Sequence, residues 1–578
     1  MHQDRAAEIQ ESSSMNARLA LVAQANGIAS SDDLEAYLIT EKVPAFLDLG
    51  AAYARIHPDS FGSFTFGNID NDRDGMDFDF SYQDVYVRVA QENGLRLLPS
   101  LGPFKSQSPE EWVSAASYIP MDASAYRAYV RAAVERYDGD GVDDMPGLTA
   151  PVKYWQLDNE ADLHYKVRGF GSFESPGEYD AVLKMTYEEM KTADPQAQLM
   201  INVAGLGQGV DSAPYLQGLI DLGSTNYFDI LSYHVYPNSY DFAAVRGLLA
   251  TMRDMVGIKP IWITETAITS QDVAGFQGSG SERAQAAWLL KDYLYHRANG
   301  VQKAFWLSLT DMSPVVQSFA KYSGLKTFGA GQKKLSYYAY KKMAEKLEGS
   351  GWSDIEIVVE QAGGIHAYKF TRNGRPVWAA WNDGGQDAVL AIAGVATTCA
   401  LVTEAVPFVD AGSGVSDYSN AFSMRTAGVL DGSVSVSVSS LAPVYVEPFA
   451  PCTLKTEKIH AFSFPNPGDC TTHAGLTADT AAGGASLPAF QGVMIRYTLP
   501  DSGAGKFEET RINIYNVTGG LVRTINQGYL EGNRTYYTPW NCGNDGGKTV
   551  GSAVYLAEIV WGSQRQFIKI AIIKGSGL

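Results

Sequence analysis

Between about residues 30 and 350, short apolar runs of β character alternate with longer runs in which apolar residues recur at helical spacing. The strand candidates are AYARIHP (52–58), LRLLPSL (95–101), VKYWQLDN (152–159), QLMINVAG (198–205), FDILSYHVY (228–236), PIWITETA (260–267) and KAFWLSLT (303–310). Helical patterns lie between them, among them 81–94, 125–139, 177–195 and 281–300. Strict alternation of strand and helix predicts a parallel α/β architecture. Seven such units imply a closed (β/α)8 barrel whose first strand precedes a helix at 32–53. RLALVAQ (18–24) is the candidate for that strand, although the same residues read equally well as helix.

After a helix at 335–349 the period changes from 3.6 to two. IEIVVEQ, IHAYKF, VWAAWND, AVLAIAG and SVSVSVSSLAPVYVEP are separated by Gly, Asp and Asn turns, the pattern of an antiparallel sandwich. A third block starts near Lys455 and carries VMIRYTLP, TRINIYNVTGGLVRTI, a stretch from TYYTPW to VYLAEIV, and FIKIAIIK, with NDGG-type turns. The predicted fold class is therefore α/β: a (β/α)8 TIM barrel followed by two all-β sandwich domains, with bounds 1–350, 351–454 and 455–578.

Composition narrows the function. The 578 residues carry 64 acidic and 45 basic side chains, a formal charge of −19, so a nucleic-acid backbone or an anionic membrane surface would be repelled. No run of 18 or more apolar residues is present to span a bilayer. The 24 Phe, 32 Tyr and 10 Trp provide flat, hydrogen-bonding surfaces of the kind sugars stack against. Residues 1–15 are polar and lack the apolar centre of a signal peptide. All four cysteines (Cys399, Cys452, Cys470 and Cys542) lie in the last 180 residues outside any C-x-x-C pattern; Cys470 with Cys542 is the first candidate for a disulfide.

In a (β/α)8 barrel the reactive groups sit at the C-terminal ends of the strands. Counting the missing strand as the first, Glu160 closes the fourth strand (KYWQLDNE) and Glu265 ends the seventh (WITETA). Two carboxylates on opposite walls of one cleft suit glycosidic cleavage, in which one protonates the leaving oxygen and the other attacks the anomeric carbon. Residues 45–350 resemble the clan A glycoside hydrolases, retaining TIM-barrel enzymes with an Asn-Glu pair ending strand four and a Glu ending strand seven. The resemblance implies Glu160 as acid/base, Glu265 as nucleophile and Asn159 as the ligand of the sugar 2-hydroxyl. It extends to Arg55 on strand two, His234 and Tyr236 (His-x-Tyr) on strand six, and Trp306 on strand eight, which are expected to bind substrate. Arg55 and Tyr236 would keep Glu265 ionised, whereas Glu160 needs a raised pKa, for which Trp155 and the second carboxylate are candidates.

Asp70, Asp72, Asp74 and Gly75 spell D-x-D-x-D-G, the first half of a calcium loop. Position twelve is Ser81 where a bidentate Glu is expected, so a solvated acidic turn is the preferred reading and a structural calcium the alternative. The DGDGVDD run at 138–144 is a weaker version. Motifs for serine hydrolase, nucleotide-binding and zinc protease chemistry are missing, and no cofactor is required. The last block, with FPNPG, IRYTLP, IYNVTGGLVRTI and VYLAEI in order, resembles the flagellar hook-capping (FlgD) type Ig-like module of exported bacterial enzymes. That resemblance suggests a secreted or cell-surface protein, with export or surface machinery as a partner besides carbohydrate; a passive spacer is the equal alternative for the module. The expected function is a retaining β-glycoside hydrolase; an α-L-arabinofuranosidase of the same clan and a non-catalytic carbohydrate-binding surface protein are the alternatives.

Overall fold

The computed structural model describes residues 28–573 apart from 59, 104–118, 163–172, 174, 208–209, 237–241, 274–277, 313–320, 351–354, 363, 431, 450–458, 474–488, 501–505 and 533. The chain forms two compact units, Met1–Glu345 and Lys346–Leu578.

In the first unit seven parallel strands follow one another round a nearly closed barrel. They are β1 (Tyr53–Ile56), β2 (Arg96–Leu101), β3 (Tyr154–Leu157), β4 (Gln198–Gly207), β6 (Ile230–Val235), β7 (Ile261–Thr266) and β8 (Lys303–Trp306). A short β5 (Val210–Asp211) folds back on β4. These are the seven runs predicted from apolar patterning; the eighth, predicted at 18–24, lies outside the described residues. Helices run between the strands, and their starts are set locally. Asp122 Oδ1 accepts from the Ser124 and Ala125 amides ahead of Ala123–Glu135. Ser175 and Ser281 cap Pro176–Ala193 and Glu282–Ala298 in the same way.

The strand interiors alternate between the barrel lumen and the helices. Leu98, Met200, Ile230 and Trp262 form one apolar cluster, with Tyr154 and Phe305 against it. On β7 the alternation is broken. Tyr233 pairs with Ile263 and His234 with Glu265, leaving Thr264 as an extra residue. Such a bulge re-aims the side chains beyond it. Thr266 consequently points away from the lumen, where its Oγ1 donates to Asp292 Oδ2 at 2.9 Å, and Glu265 takes the inward position.

The second unit is antiparallel throughout its described ladders. A six-stranded sheet in the order β14 (Met424–Gly428), β13 (Cys399–Glu404), β16 (Val444–Phe449), β11 (Arg375–Asn382), β10 (Ile365–Arg372), β9 (Glu356–Ala362) faces the pair β12 (Ala388–Ala393) and β15 (Ser433–Val438). The SVSVSV run buries Val434, Val436 and Val438 against Trp378, Ala380, Val402 and Val446 while its serines turn outward, as a period of two requires. Strands from His460 to Ile572 form separate sheets around Trp540, Tyr497, Ile512, Ile514 and Ile559. The predicted boundary at 454–455 lies outside the described residues. The candidate Cys470–Cys542 bond is not formed: both are thiols, and the buried Cys542 Sγ donates to the Asp469 carbonyl at 3.7 Å. Cys399, in contrast, is disulfide-bonded.

Candidate active site

The site is built where the barrel strands end. Arg55 on β1 crosses the lumen: Nη1 donates to Glu265 Oε1 at 2.6 Å, Nη2 to Asn159 Oδ1 at 2.6 Å and Nε to Gln156 Oε1 at 3.1 Å. The Tyr236 hydroxyl donates to the other Glu265 oxygen, Oε2. Glu265 is buried, and burial alone would push its carboxyl up. Interactions with His234, the Arg55 guanidinium and His57, with the Tyr236 hydrogen bond, outweigh that and bring it down to about 2. The same carboxylate and burial raise the Tyr236 phenol well above its ordinary range, burial being the larger cause. Glu265 is therefore an anion held by directed donors.

Glu160 lies three residues beyond the end of β3, in a turn where Asp158 and Glu160 both have positive φ (60° and 49°). Asn202 on β4 holds this unusual backbone: its Oδ1 accepts the Glu160 amide at 2.6 Å, and its Nδ2 reaches Ser232 Oγ, His234 Nε2 and Thr264 Oγ1 at 2.9 to 3.1 Å. The fully buried His234 turns Nδ1 to Glu160 Oε1 at 2.6 Å and to Glu265 Oε2 at 3.4 Å. One carboxylate oxygen of Glu160 and one of Glu265 come within 4.8 Å of each other. Two oppositely placed carboxylates, one clamped as an anion and the other half-buried beside an imidazole, can divide nucleophile and proton-transfer duties between them.

All five residues predicted around the pair are thus brought to one end of the barrel. Arg55, Asn159, His234 and Tyr236 join the hydrogen-bond network. Trp306 ends β8 beside Thr266, its indole N–H donating to the Ser323 carbonyl at 2.8 Å and its ring 5.8 Å from Trp288. Trp155 corrects an expectation. It is fully buried on the helix side of β3, 5.9 Å from Phe64 and 6.4 Å from Tyr137, and so forms no wall for Glu160. The reason is strand parity, since its neighbour Gln156 faces Arg55 in the lumen. Three participants escaped sequence reasoning: Gln156, Asn202 and His57, whose Nε2 lies 3.7 Å from Glu265 Oε1. Each is a polar residue at lumen parity in an otherwise apolar run, and that was the available signal.

Away from this centre, Asp70, Asp72 and Asp74 also converge, with one carboxylate oxygen of each within 4.8 Å of the others. Burial, reinforced by Asp72, raises the Asp70 carboxyl. Glu135, Asp138 and Asp140, the last two from the DGDGVDD run, form a similar group.

Residues 178–330 match the glycosyl hydrolase catalytic core family. No curated protein matches the chain in sequence. Among solved structures, a family 39 glycoside hydrolase from the gut symbiont Bacteroides cellulosilyticus superimposes with a TM-score of 0.50 at 16% identity, over 70% of this chain and 77% of that one. An α-L-arabinofuranosidase from Thermotoga maritima gives 0.48 at 13% identity over 70% and 89%, and a GH30 endoxylanase from Clostridium papyrosolvens 0.44 at 14% over 70% and 92%. The matched segment runs from the helix Pro176–Ala193 past β8 and contains Glu265, and it supports a glycoside hydrolase enzyme.

Proposed function

We propose that the protein is a retaining β-glycoside hydrolase acting on a polysaccharide or its oligosaccharides, with Glu265 as nucleophile and Glu160 as acid/base. The observation that carries this is the approach of one Glu160 oxygen to within 4.8 Å of one Glu265 oxygen, which favours the close carboxyl pair of a retaining enzyme over the wider pair of an inverting one. In the first step Glu265 attacks the anomeric carbon while Glu160 protonates the departing glycosidic oxygen. In the second, Glu160 takes a proton from water, which attacks the same carbon and releases Glu265. Arg55 and Tyr236 hold Glu265 ionised and oriented. Asn159, fixed by Arg55, binds the sugar 2-hydroxyl in this reading, whereas Trp306, beside the outward Thr266 and against Trp288, packs on the helix side. No cofactor takes part in this chemistry.

The disulfide at Cys399 supports a secreted or cell-surface location, because such bonds persist in oxidising compartments. The block after residue 455 is read as the hook-capping type module, acting in placement and not in catalysis. Among the described residues no helix is long and apolar enough to cross a membrane.

The test is a panel of nitrophenyl glycosides, including β-xyloside, β-glucoside, β-galactoside, β-mannoside and α-L-arabinofuranoside, run on the parent chain and on Glu160→Ala. Turnover of a β-glycoside is expected, with Glu160→Ala losing about 10²- to 10⁴-fold on poor leaving groups and far less on dinitrophenyl glycosides. Carbohydrate binding without turnover of any member would establish the non-catalytic alternative, and turnover of the arabinofuranoside alone would establish the other.

A further inference from the structure

We propose that the segment Asp70–Ser81, which follows β1 on the reactive end of the barrel, is a calcium site. A cluster of acidic side chains is common on protein surfaces; the deciding feature here is Asp70. Its side chain is fully buried, and its Oδ2 accepts the Gly75 amide at 2.7 Å. Its Oδ1 is buried with no hydrogen-bond partner. A carboxylate oxygen removed from water without a donor is costly, and two further carboxylates, Asp72 and Asp74, each bring an oxygen within 4.8 Å of an oxygen of the same Asp70 carboxylate instead of being kept apart. A cation among the three supplies what Asp70 lacks and cancels their mutual repulsion.

The surroundings fit calcium. All three side chains offer hard oxygen ligands at the spacing of a calcium loop's first half. The turn is closed by the Asp79 amide donating to the Ile69 carbonyl at 2.7 Å, and Met76 donates to Asp74 Oδ1 at 2.8 Å. Gly75 has φ +81°, and a Cβ there would come within 2.6 Å of Ala125 Cα, so the turn lies directly against the helix Ala123–Glu135. Position twelve is Ser81, and the nearby Asp84 is already bound to Arg136 and Tyr137. Carbonyl and water oxygens must therefore complete the shell, which predicts moderate affinity, with Kd of about 10⁻⁵ to 10⁻³ M.

The experiment uses the full chain stripped with a chelator and titrated with calcium chloride by calorimetry, with thermal melts alongside. One calcium per chain is expected, with a melting temperature that rises with the logarithm of calcium concentration and less with magnesium. Asp72 and Asp74 are exposed, so the double variant Asp72→Asn with Asp74→Asn should fold. It should lose at least about tenfold in calcium affinity, since affinity follows ligand charge, while melting no lower than the parent in chelator. Absence of binding and of any difference in melting between calcium and chelator would overturn the proposal. So would undiminished binding by the double variant, which would move the site elsewhere, or equal stabilisation by magnesium.

Discussion

The two ends of the barrel each hold a desolvated cation, and they treat it in opposite ways. At the C-terminal end Arg55 is bound by Glu265, Asn159 and Gln156. At the N-terminal end Lys303 Nζ lies over three aromatic rings, 4.2 Å from the Trp262 centroid, 5.1 Å from Tyr53 and 5.3 Å from Tyr154. The same strands serve both ends: β1 carries Tyr53 and, two residues on, Arg55; β3 carries Tyr154 and then Gln156; β7 carries Trp262 and then, past its bulge, Glu265. Ring faces attract a cation without a carboxylate beside it, so the lower end closes the barrel around Lys303 with aromatic rings. Burial, followed by the nearby Arg96, lowers the Lys303 pKa, which shows how far that end is withdrawn from water. Carboxylates, in contrast, can be attacked through, protonated and released. The proposed chemistry lies at the upper end, and the lower end is an apolar and aromatic closure.

Breaking the upper end should have the largest effect on turnover. Glu265→Ala is expected to lower kcat by at least about 10⁴-fold. Azide, small enough to occupy the vacated space, should restore part of the rate and give a glycosyl azide of inverted configuration. Circular dichroism of the variant should match the parent. Full activity in Glu265→Ala would remove the distinction between the two ends.

Breaking the lower end should do the reverse. Trp262→Ala removes a fully buried indole and the closest ring under Lys303, at a cost of about 3 to 5 kcal/mol by urea unfolding of the barrel unit. Turnover per folded molecule should change by less than about twofold, since no lower-end group touches the reacting atoms; a selective loss of kcat with unchanged stability would contradict that separation.

A smaller, pH-dependent effect sharpens the contrast. Glu265 is brought down to about 2 from an ordinary value of 4.5, so the unfolded chain binds more protons here between those pH values. Its contribution is complete above about pH 4.5 and is lost as the pH falls toward 2. The stability gap between the parent and Glu265→Gln should therefore be constant from pH 7 to about 5 and close as acid is added. Lys303→Met should show no such narrowing, and a gap independent of pH for Glu265→Gln would mean that its carboxyl is not held down by its neighbours.

Much of this division could be read from the sequence, because barrel strands are short apolar runs whose ends carry isolated polar residues. Glu160 and Glu265 stood out in that way, and Arg55 and the His-x-Tyr pair through the resemblance to clan A. The backbone geometry that aims them did not. Nothing in WITETA announces that Thr264 is an extra residue, since a bulge is a matter of pairing with β6. The left-handed turn at Asp158 and Glu160 depends on Asn202, more than forty residues away in sequence. Trp155 could be read as packing or as a wall for Glu160, and its parity is fixed as packing only once Gln156 is seen to face Arg55. In the second unit β13 and β14 passed unnoticed; MRTAG has weak β character and is a strand through its pairing with Cys399–Thr403.

The most direct test of double displacement at the upper end is the configuration of the first product, followed by proton NMR on the unmutated chain before mutarotation intervenes. A β-glycoside should release the β-anomer first, because two inversions at one carbon restore its configuration. An α-anomer appearing first would mean that water attacks directly, and would contradict the roles given to both Glu265 and Glu160.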